Sequence, residues 1–167
     1  MSIVVPLTQG LFTIIDDEDL NLLGNREWHA VCTNGCFYAR DKDGNYLHRI
    51  ITNCPIDKLV DHVNGITLDN RKGNLRICTY SQNSRNSVIK ENNQTGFKGV
   101  CFHKNITSGK PYQARIYNDE GKRVSLGYYA SAEEAAKVYA NAAKLEHGEF
   151  ANTGVRDNEP FAITTNL

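Results

Sequence analysis

The residues of this chain most suited to chemistry are an adjacent carboxylate and imidazole, Asp61 and His62. A carboxylate is a hard oxygen ligand for a divalent cation, and an imidazole can take a proton from water near neutral pH. Adjacent Asp and His residues also occur with purely structural roles, so the case for a catalytic pair depends on the residues around it. Asn74 follows His62 by twelve residues and Asn83 by nine more, and amide oxygens can complete a metal shell or orient an imidazole. Four arginines that could hold phosphates share this stretch: Arg49, Arg71, Arg76 and Arg85.

The charge distribution favours a polyanionic partner although the net charge of the 167 residues is zero. Residues 48–128 hold thirteen basic and six acidic residues, a net charge of +7 between two acidic ends. Binding to a polyanion depends on a local field rather than on the total charge. An ordinary solvated surface with this charge is the alternative.

The five cysteines are Cys32, Cys36, Cys54, Cys78 and Cys101, and no two have the spacing of a zinc knuckle. Cys32 and Cys36 could form half of a zinc site completed by His29 or Cys54, but a second close pair is missing. We therefore expect cytosolic thiols and no structural zinc.

Length and composition indicate one compact domain or two small ones. Apolar residues make up 40% of the chain and charged residues 23%, which is typical of a globular protein. No stretch approaches the ~20 apolar residues that span a bilayer. The start of the chain lacks a basic targeting pattern, so we expect a cytoplasmic protein without a membrane partner.

Short strands and tight turns dominate residues 1–45. Apolar runs at 3–5, 11–15, 28–32 and 37–40 are separated by turn signals, among them Asn34-Gly35 and Asp43-Gly44. Residues 46–90 are rich in polar side chains, and the polar run 91–96 predicts a linker.

The C-terminal part predicts three strands and a helix. The strands are expected at 97–103, 112–117 and 122–129, in an antiparallel sheet. Ser131 and Glu134 form a capping box that opens a helix to His147, with Gly148 as its stop. Its apolar residues recur at helical spacing and predict one stripe that covers one face of the sheet, leaving the other free to bind: Ala135, Val138, Tyr139, Ala142 and Leu145.

The run His48-Arg49, Asp61-His62-Val-Asn-Gly, Leu68-Asp-Asn-Arg, Asn74-Leu-Arg and Asn83-Ser-Arg-Asn86 resembles the HNH endonuclease family. It is most similar to the phage homing branch, in which asparagine replaces the second and third histidines. The resemblance implies a ββα-metal fold with His62 as general base, Asp61 and Asn83 as ligands of one Mg²⁺ or Mn²⁺ ion, and Asn74 as the group that orients His62. Asn86 is the alternative ligand to Asn83, and His48 is expected to be structural or to contact DNA.

Residues 97–152 resemble the APETALA2/ethylene-response-factor DNA-binding domain. The motifs are Gly96-Phe-Lys-Gly-Val, Tyr112-Gln-Ala-Arg-Ile, Gly121-Lys-Arg-Val-Ser-Leu-Gly-Tyr-Tyr, the helix beginning at Ser131, and Gly148-Glu-Phe-Ala. The resemblance implies that the exposed sheet face enters the major groove. The residues it places on DNA are Lys98, His103, Lys104, Arg115, Tyr117, Arg123 and Ser125. Cys101 and Ser125 depart from the plant pattern, so base specificity does not carry over.

Together these observations predict an α+β protein: a ββα-metal nuclease module followed by a three-stranded antiparallel sheet packed on one helix. The expected divisions are an N-terminal β-rich segment at 1–45 that packs with the nuclease module at 46–90, a linker at 91–96, a DNA-binding domain at 97–152 and a tail at 153–167. The function predicted is a metal-dependent HNH homing endonuclease, acting on double-stranded DNA in a phage-infected or bacterial cell without a small-molecule cofactor. The alternatives are a DNA-binding regulator with a silent nuclease fold, a restriction or packaging nuclease, and a structural zinc protein.

Overall fold

The computed structural model describes residues 1–86, 89, 93–118 and 120–153. Its contacts divide the described residues into two units, one from Met1 to Tyr80 and the other from Ser81 to Thr153. The division falls within the segment 46–90, where the resemblance places the nuclease module. Nearly all of the expected tail lies outside the described residues.

Two antiparallel hairpins build the first half of the first unit. Strands β1 (Ser2–Pro6) and β2 (Phe12–Asp16) pair with each other, as do β3 (Trp28–Thr33) and β4 (Cys36–Asp41). The second hairpin turns at Asn34 and Gly35, whose φ angles of 51° and 80° are those that an Asn-Gly turn supplies readily. The strands predicted in residues 1–45 are therefore confirmed.

Short helices and a third hairpin complete this unit. Helix α1 (Leu20–Leu23) precedes β3, and α2 (Leu47–Ile51) follows β4. Strands β5 (Leu59–His62) and β6 (Leu75–Cys78) pair antiparallel. One apolar core joins the hairpins to α2 and β6, and its buried members are Val5, Ile15, Leu23, Trp28, Ala39, Leu47, Ile51 and Leu75.

The β1–β2 hairpin is hydrogen-bonded to the loop between β5 and β6. The Ile14 amide donates to the Leu68 carbonyl over 3.0 Å, and the Asn70 amide donates to the Ile14 carbonyl over 2.7 Å. A parallel bridge between Ile14 and Asp69 results. The N-terminal hairpin thus fixes the loop that follows His62.

Helix α3 (Tyr80–Arg85) follows β6, which gives a strand–strand–helix order along the chain. The second unit then contains a three-stranded antiparallel sheet with the order β7-β8-β9, formed by β7 (Val100–Phe102), β8 (Tyr112–Tyr117) and β9 (Arg123–Tyr129). Strand β7 is shorter than the strand predicted at 97–103, because Gly99, at a φ of +71°, lies in a turn.

Helix α4 (Ala132–His147) covers one face of this sheet, as the sequence predicts. The Ser131 side chain accepts a hydrogen bond from the Glu134 amide, and Gly148 ends the helix. Ala135, Tyr139 and Ala143 pack against the sheet. The prediction for Leu145 is wrong: it is 89% exposed, because the buried stripe follows four-residue steps through position 143.

No helix in the described part of the chain is long and apolar enough to cross a membrane.

Candidate active site

The β5–β6 hairpin brings Asp61 and His62 to the last two positions of β5. Asp61 faces Arg76 in the register of the hairpin, and His62 faces Leu75. Both members of the pair are buried, with 6% and 5% of their surface exposed. A charged group so shielded needs partners, because its hydration is lost.

Arg76 is a direct partner of Asp61. Its Nε and Nη2 atoms donate to Asp61 Oδ2 over 2.8 and 2.6 Å. Side-chain exposure is 13% for Arg76 and 7% for Asp61, so the pair is largely shielded from water. Arg76, which the sequence places on DNA, instead neutralises the carboxylate that the resemblance assigns to the metal. The guanidinium is thus engaged inside the unit, and its contact with DNA remains a prediction.

The imidazole of His62 is hydrogen-bonded through one nitrogen and packs against neighbouring aromatic rings. Its Nε2 is 3.2 Å from Asn70 Oδ1. The ring of His48 meets it edge-on at a centroid distance of 5.4 Å, and the ring of Tyr38 lies at 6.3 Å. Tyr46 in turn stacks on His48 at 5.4 Å. His48 therefore packs against His62, which accords with the structural half of its expected role.

Burial keeps both imidazoles neutral near pH 7. It lowers the pKa of His62 below 6.5, although the Asn70 hydrogen bond and the charges of Asp61 and Asp69 act in the opposite direction. For His48, burial and the neighbouring His62 and Arg49 lower the pKa to about 3. A neutral imidazole keeps a lone pair on one nitrogen, so His62 can accept a proton.

Asn74 holds the loop rather than the imidazole. Its Nδ2 donates to the Asp69 carbonyl over 2.8 Å, and its Oδ1 accepts from the Asn64 amide over 2.9 Å. The prediction that Asn74 bonds a ring nitrogen of His62 is therefore wrong, because both ends of its amide bind backbone groups. The ring nitrogen is bonded instead by Asn70.

Arg49 and Arg71 also bind groups of their own unit. The guanidinium of Arg49 donates to the carbonyls of Cys54, Pro55 and Lys58, which clamps the loop before β5. Arg71 makes a bidentate ion pair with Asp69 through Nε and Nη2, over 2.8 and 2.7 Å. Arg49 thus has a structural role in its unit, and its contact with DNA remains a prediction. Arg71 remains 41% exposed beside its partner.

The remaining nuclease-segment predictions lie on α3, in the second unit. Asn83 and Arg85 are both half-buried there, and Asn86, the alternative ligand, is buried just beyond the helix. Asn152 Nδ2 donates to the Asn86 carbonyl over 2.9 Å. The metal role of Asn83 remains a prediction of the resemblance.

The sheet face opposite α4 carries a polar row that runs from the end of β7 across β8 to β9. His103 Nε2 lies 3.0 Å from Gln113 Oε1, and Gln113 Nε2 donates to Ser125 Oγ over 2.9 Å. With Arg115 and Arg123 these side chains line an open cavity of about 410 Å³. Five predicted DNA residues thus share one face or its edge, including the exposed Tyr117.

Two further predictions lie near this face. Lys104 is exposed in the loop after β7. The Lys98 ammonium donates to the Arg85 carbonyl, so this lysine is partly engaged by the protein itself.

The described residues contain no group of three or more His, Cys, Asp or Glu side chains that could hold a metal ion. Cys32 and Cys36 are exposed on neighbouring strands of one hairpin, and Cys78 is buried. Burial raises the pKa of the Cys78 thiol to about 11, so it stays protonated.

Sequence reasoning missed three side chains of these sites: Thr13, Asn70 and Gln113. Asn70 stands within the motif Leu68-Asp-Asn-Arg, which carried the resemblance without a role for this residue. Thr13 shares the inward face of β2 with Ile15, and a polar residue at such a position is itself a signal. Gln113 lies on β8, the strand that also carries the predicted contacts Arg115 and Tyr117.

Comparison with known proteins gives one match. The model of the HNH endonuclease family matches residues 45–85, which hold β5, β6 and α3. No curated protein and no solved structure matches the chain. The match indicates a nuclease that acts on DNA, which agrees with the coarser part of the function predicted from the sequence.

Proposed function

We propose that this protein is a metal-dependent HNH endonuclease of the homing type, which hydrolyses phosphodiester bonds in double-stranded DNA. The observation that carries the proposal is the buried imidazole of His62 beside the carboxylate of Asp61, within the segment that matches the HNH family. The homing type rests on the resemblance of the sequence to the phage branch.

His62 is the proposed general base. Hydrolysis needs a water molecule that loses a proton as its oxygen attacks phosphorus and the bond to the 3′-oxygen breaks. An imidazole with a lowered pKa is unprotonated at neutral pH and can take that proton. The edge of the His48 ring and the bond to Asn70 restrict how the His62 ring can turn. The base is therefore oriented before DNA arrives.

The donors present suit an oxygen-preferring cation. Asp61 supplies a carboxylate, and the resemblance adds the amide oxygen of Asn83. Such donors favour Mg²⁺ or Mn²⁺ over zinc, and Mg²⁺ commonly takes only one or two carboxylates and keeps several waters. The pairing with Arg76 shows that the site already balances the Asp61 charge by a cationic group. A bound ion would supply positive charge to the scissile phosphate and the leaving oxygen.

The C-terminal sheet is the proposed DNA anchor. Arg115 and Arg123 project beside the polar row of His103, Gln113 and Ser125, on the face that α4 leaves open. Arginine and amide side chains are the groups that read base edges and hold phosphates. The remaining proposed contacts are Lys98, Lys104, Tyr117, Arg49, Arg71, Arg76 and Arg85. The similarity to the plant DNA-binding domain supports this role.

A supercoiled-plasmid assay tests the proposal. The wild-type protein with Mg²⁺ should convert supercoiled DNA to open-circular or linear forms, and EDTA should stop the conversion. Asp61→Ala should remove cleavage, whereas Asp57→Ala, which changes an exposed carboxylate in the same unit, should not. Undiminished cutting in EDTA or by Asp61→Ala would contradict the assigned ion site.

A further inference from the structure

Three side chains form a continuous hydrogen-bonded relay from strand β2 to His62. Thr13 Oγ1 donates to the Leu68 carbonyl over 2.8 Å, Asn70 Nδ2 donates to Thr13 Oγ1 over 2.7 Å, and His62 Nε2 meets Asn70 Oδ1 at 3.2 Å. Thr13 and Asn70 have no exposed surface, and His62 has 5%. Water therefore does not compete for these bonds.

The relay has only one consistent direction. The Leu68 carbonyl can only accept, so the single proton of the Thr13 hydroxyl points to it. The Thr13 oxygen must then accept from Asn70, whose amide nitrogen faces Thr13 and whose amide oxygen faces His62. An amide oxygen cannot donate, so the ring proton of neutral His62 sits on Nε2. The lone pair of the neutral ring is left on Nδ1.

Backbone hydrogen bonds hold Thr13 and Asn70 in place relative to each other. The Leu68 carbonyl accepts a second hydrogen bond, from the Ile14 amide, and the Asn70 amide donates to the Ile14 carbonyl. Thr13 and Asn70 are thus held at a set separation by the bridge between β2 and the loop. A rotated Asn70 amide would set its N–H group against the N–H group of the His62 ring and would leave the Thr13 oxygen without a donor, which is costly in a buried site.

We infer that Thr13 and Asn70 are positioning residues of the nuclease centre, which fix the His62 ring with its proton on Nε2 and its proton-accepting lone pair on Nδ1. This inference rests on the proposed function. Thr13 lies outside residues 45–85, so the N-terminal hairpin takes part in the active site as well as in the core.

The first test measures the ring directly in the wild-type protein without metal. Nitrogen-15 NMR of the imidazole distinguishes a proton on Nε2 from one on Nδ1. We expect the neutral His62 ring to carry its proton on Nε2. A proton on Nδ1 would overturn the relay, and this result needs neither cleavage nor a variant.

The second test removes the hydroxyl. Thr13→Val keeps the side-chain shape but takes the acceptor from Asn70, so the amide can rotate and His62 should show both tautomers. The single-turnover rate on supercoiled plasmid with Mg²⁺ should fall about ten- to a hundredfold, the range found when a supporting hydrogen bond is lost. Plasmid affinity should not change. Thr13→Ser restores the hydroxyl and should recover both the NMR signature and the rate.

Thr8→Val is the matched control. It removes a hydroxyl from the same N-terminal segment, where Thr8 Oγ1 accepts from the Ala30 amide over 3.0 Å. It should leave the His62 signals and the rate at wild-type values. If Thr13→Val also leaves both unchanged, the relay has no positioning role. A wild-type protein that fails to cut plasmid would refute the proposed function instead, while the NMR result would still decide how the ring is held.

Discussion

Removal of Arg76 should destabilise the first unit strongly. Arg76 binds Asp61 through two hydrogen bonds of 2.8 and 2.6 Å, and the carboxylate is 7% exposed. Removing one partner of a buried ion pair costs about 3–5 kcal/mol, because the other charge stays buried. Asp61 has further interactions, so we expect the lower end for Arg76→Ala, about 3 kcal/mol. In a unit of this size that corresponds to a fall of roughly 12–24 °C in the melting temperature.

Calorimetry of the wild type and the variant measures this loss. Lys58→Ala is the control, because Lys58 pairs with the exposed Asp57 at 4.0 Å and such surface pairs contribute about 0–1 kcal/mol. Since Asp61 is the proposed metal ligand, Mg²⁺ should raise the melting temperature more in Arg76→Ala than in the wild type. A loss below about 1 kcal/mol for Arg76→Ala would refute the argument that this pair is a shielded one.

Three other perturbations have defined outcomes. The first unit should lose up to about 1.4 kcal/mol of stability per pH unit as the pH falls from about 6.5 towards 3, because the unfolded chain accepts a proton on His48 that the buried ring resists. Melting temperatures that stay constant across this range would contradict the burial of His48. Gly99→Ala should destabilise the second unit by about 1–3 kcal/mol in urea unfolding, because a Cβ atom there would lie 2.1 Å from the Tyr139 ring; wild-type stability would exclude this close approach. Arg115→Ala combined with Arg123→Ala should weaken plasmid binding and lower its salt dependence by about one unit of slope per lost phosphate contact, with cleavage at saturating protein retained; an unchanged slope would mean that the sheet does not anchor DNA.

Local signals in the sequence predicted the local structure well. The Asn34-Gly35 turn and the Ser131–Glu134 cap each depend on a few neighbouring residues, and both form as expected. Helical periodicity predicted the face of α4 that packs on the sheet, but it gave too wide a stripe. Leu145 falls outside it because the buried positions of α4 follow four-residue steps, at 135, 139 and 143.

The partners of the site residues could not be predicted in the same way. Residue type and spacing identified Asp61 and His62, but which amide reaches the imidazole depends on the path of the loop after β5. Asn74 and Asn70 are only four residues apart, and the loop turns Asn74 to the backbone and Asn70 to the ring. Thr13 reaches the site only through a pairing of β2 with residues 68–70, across more than fifty positions of sequence.

The assignment of His62 as general base is tested most directly by plasmid cleavage and plasmid binding measured together on His62→Ala. We predict that, with Mg²⁺, the single-turnover cleavage rate falls by at least the ~10²-fold typical of a lost general base while plasmid affinity stays near that of the wild type. Cleavage by His62→Ala at the wild-type rate would contradict it.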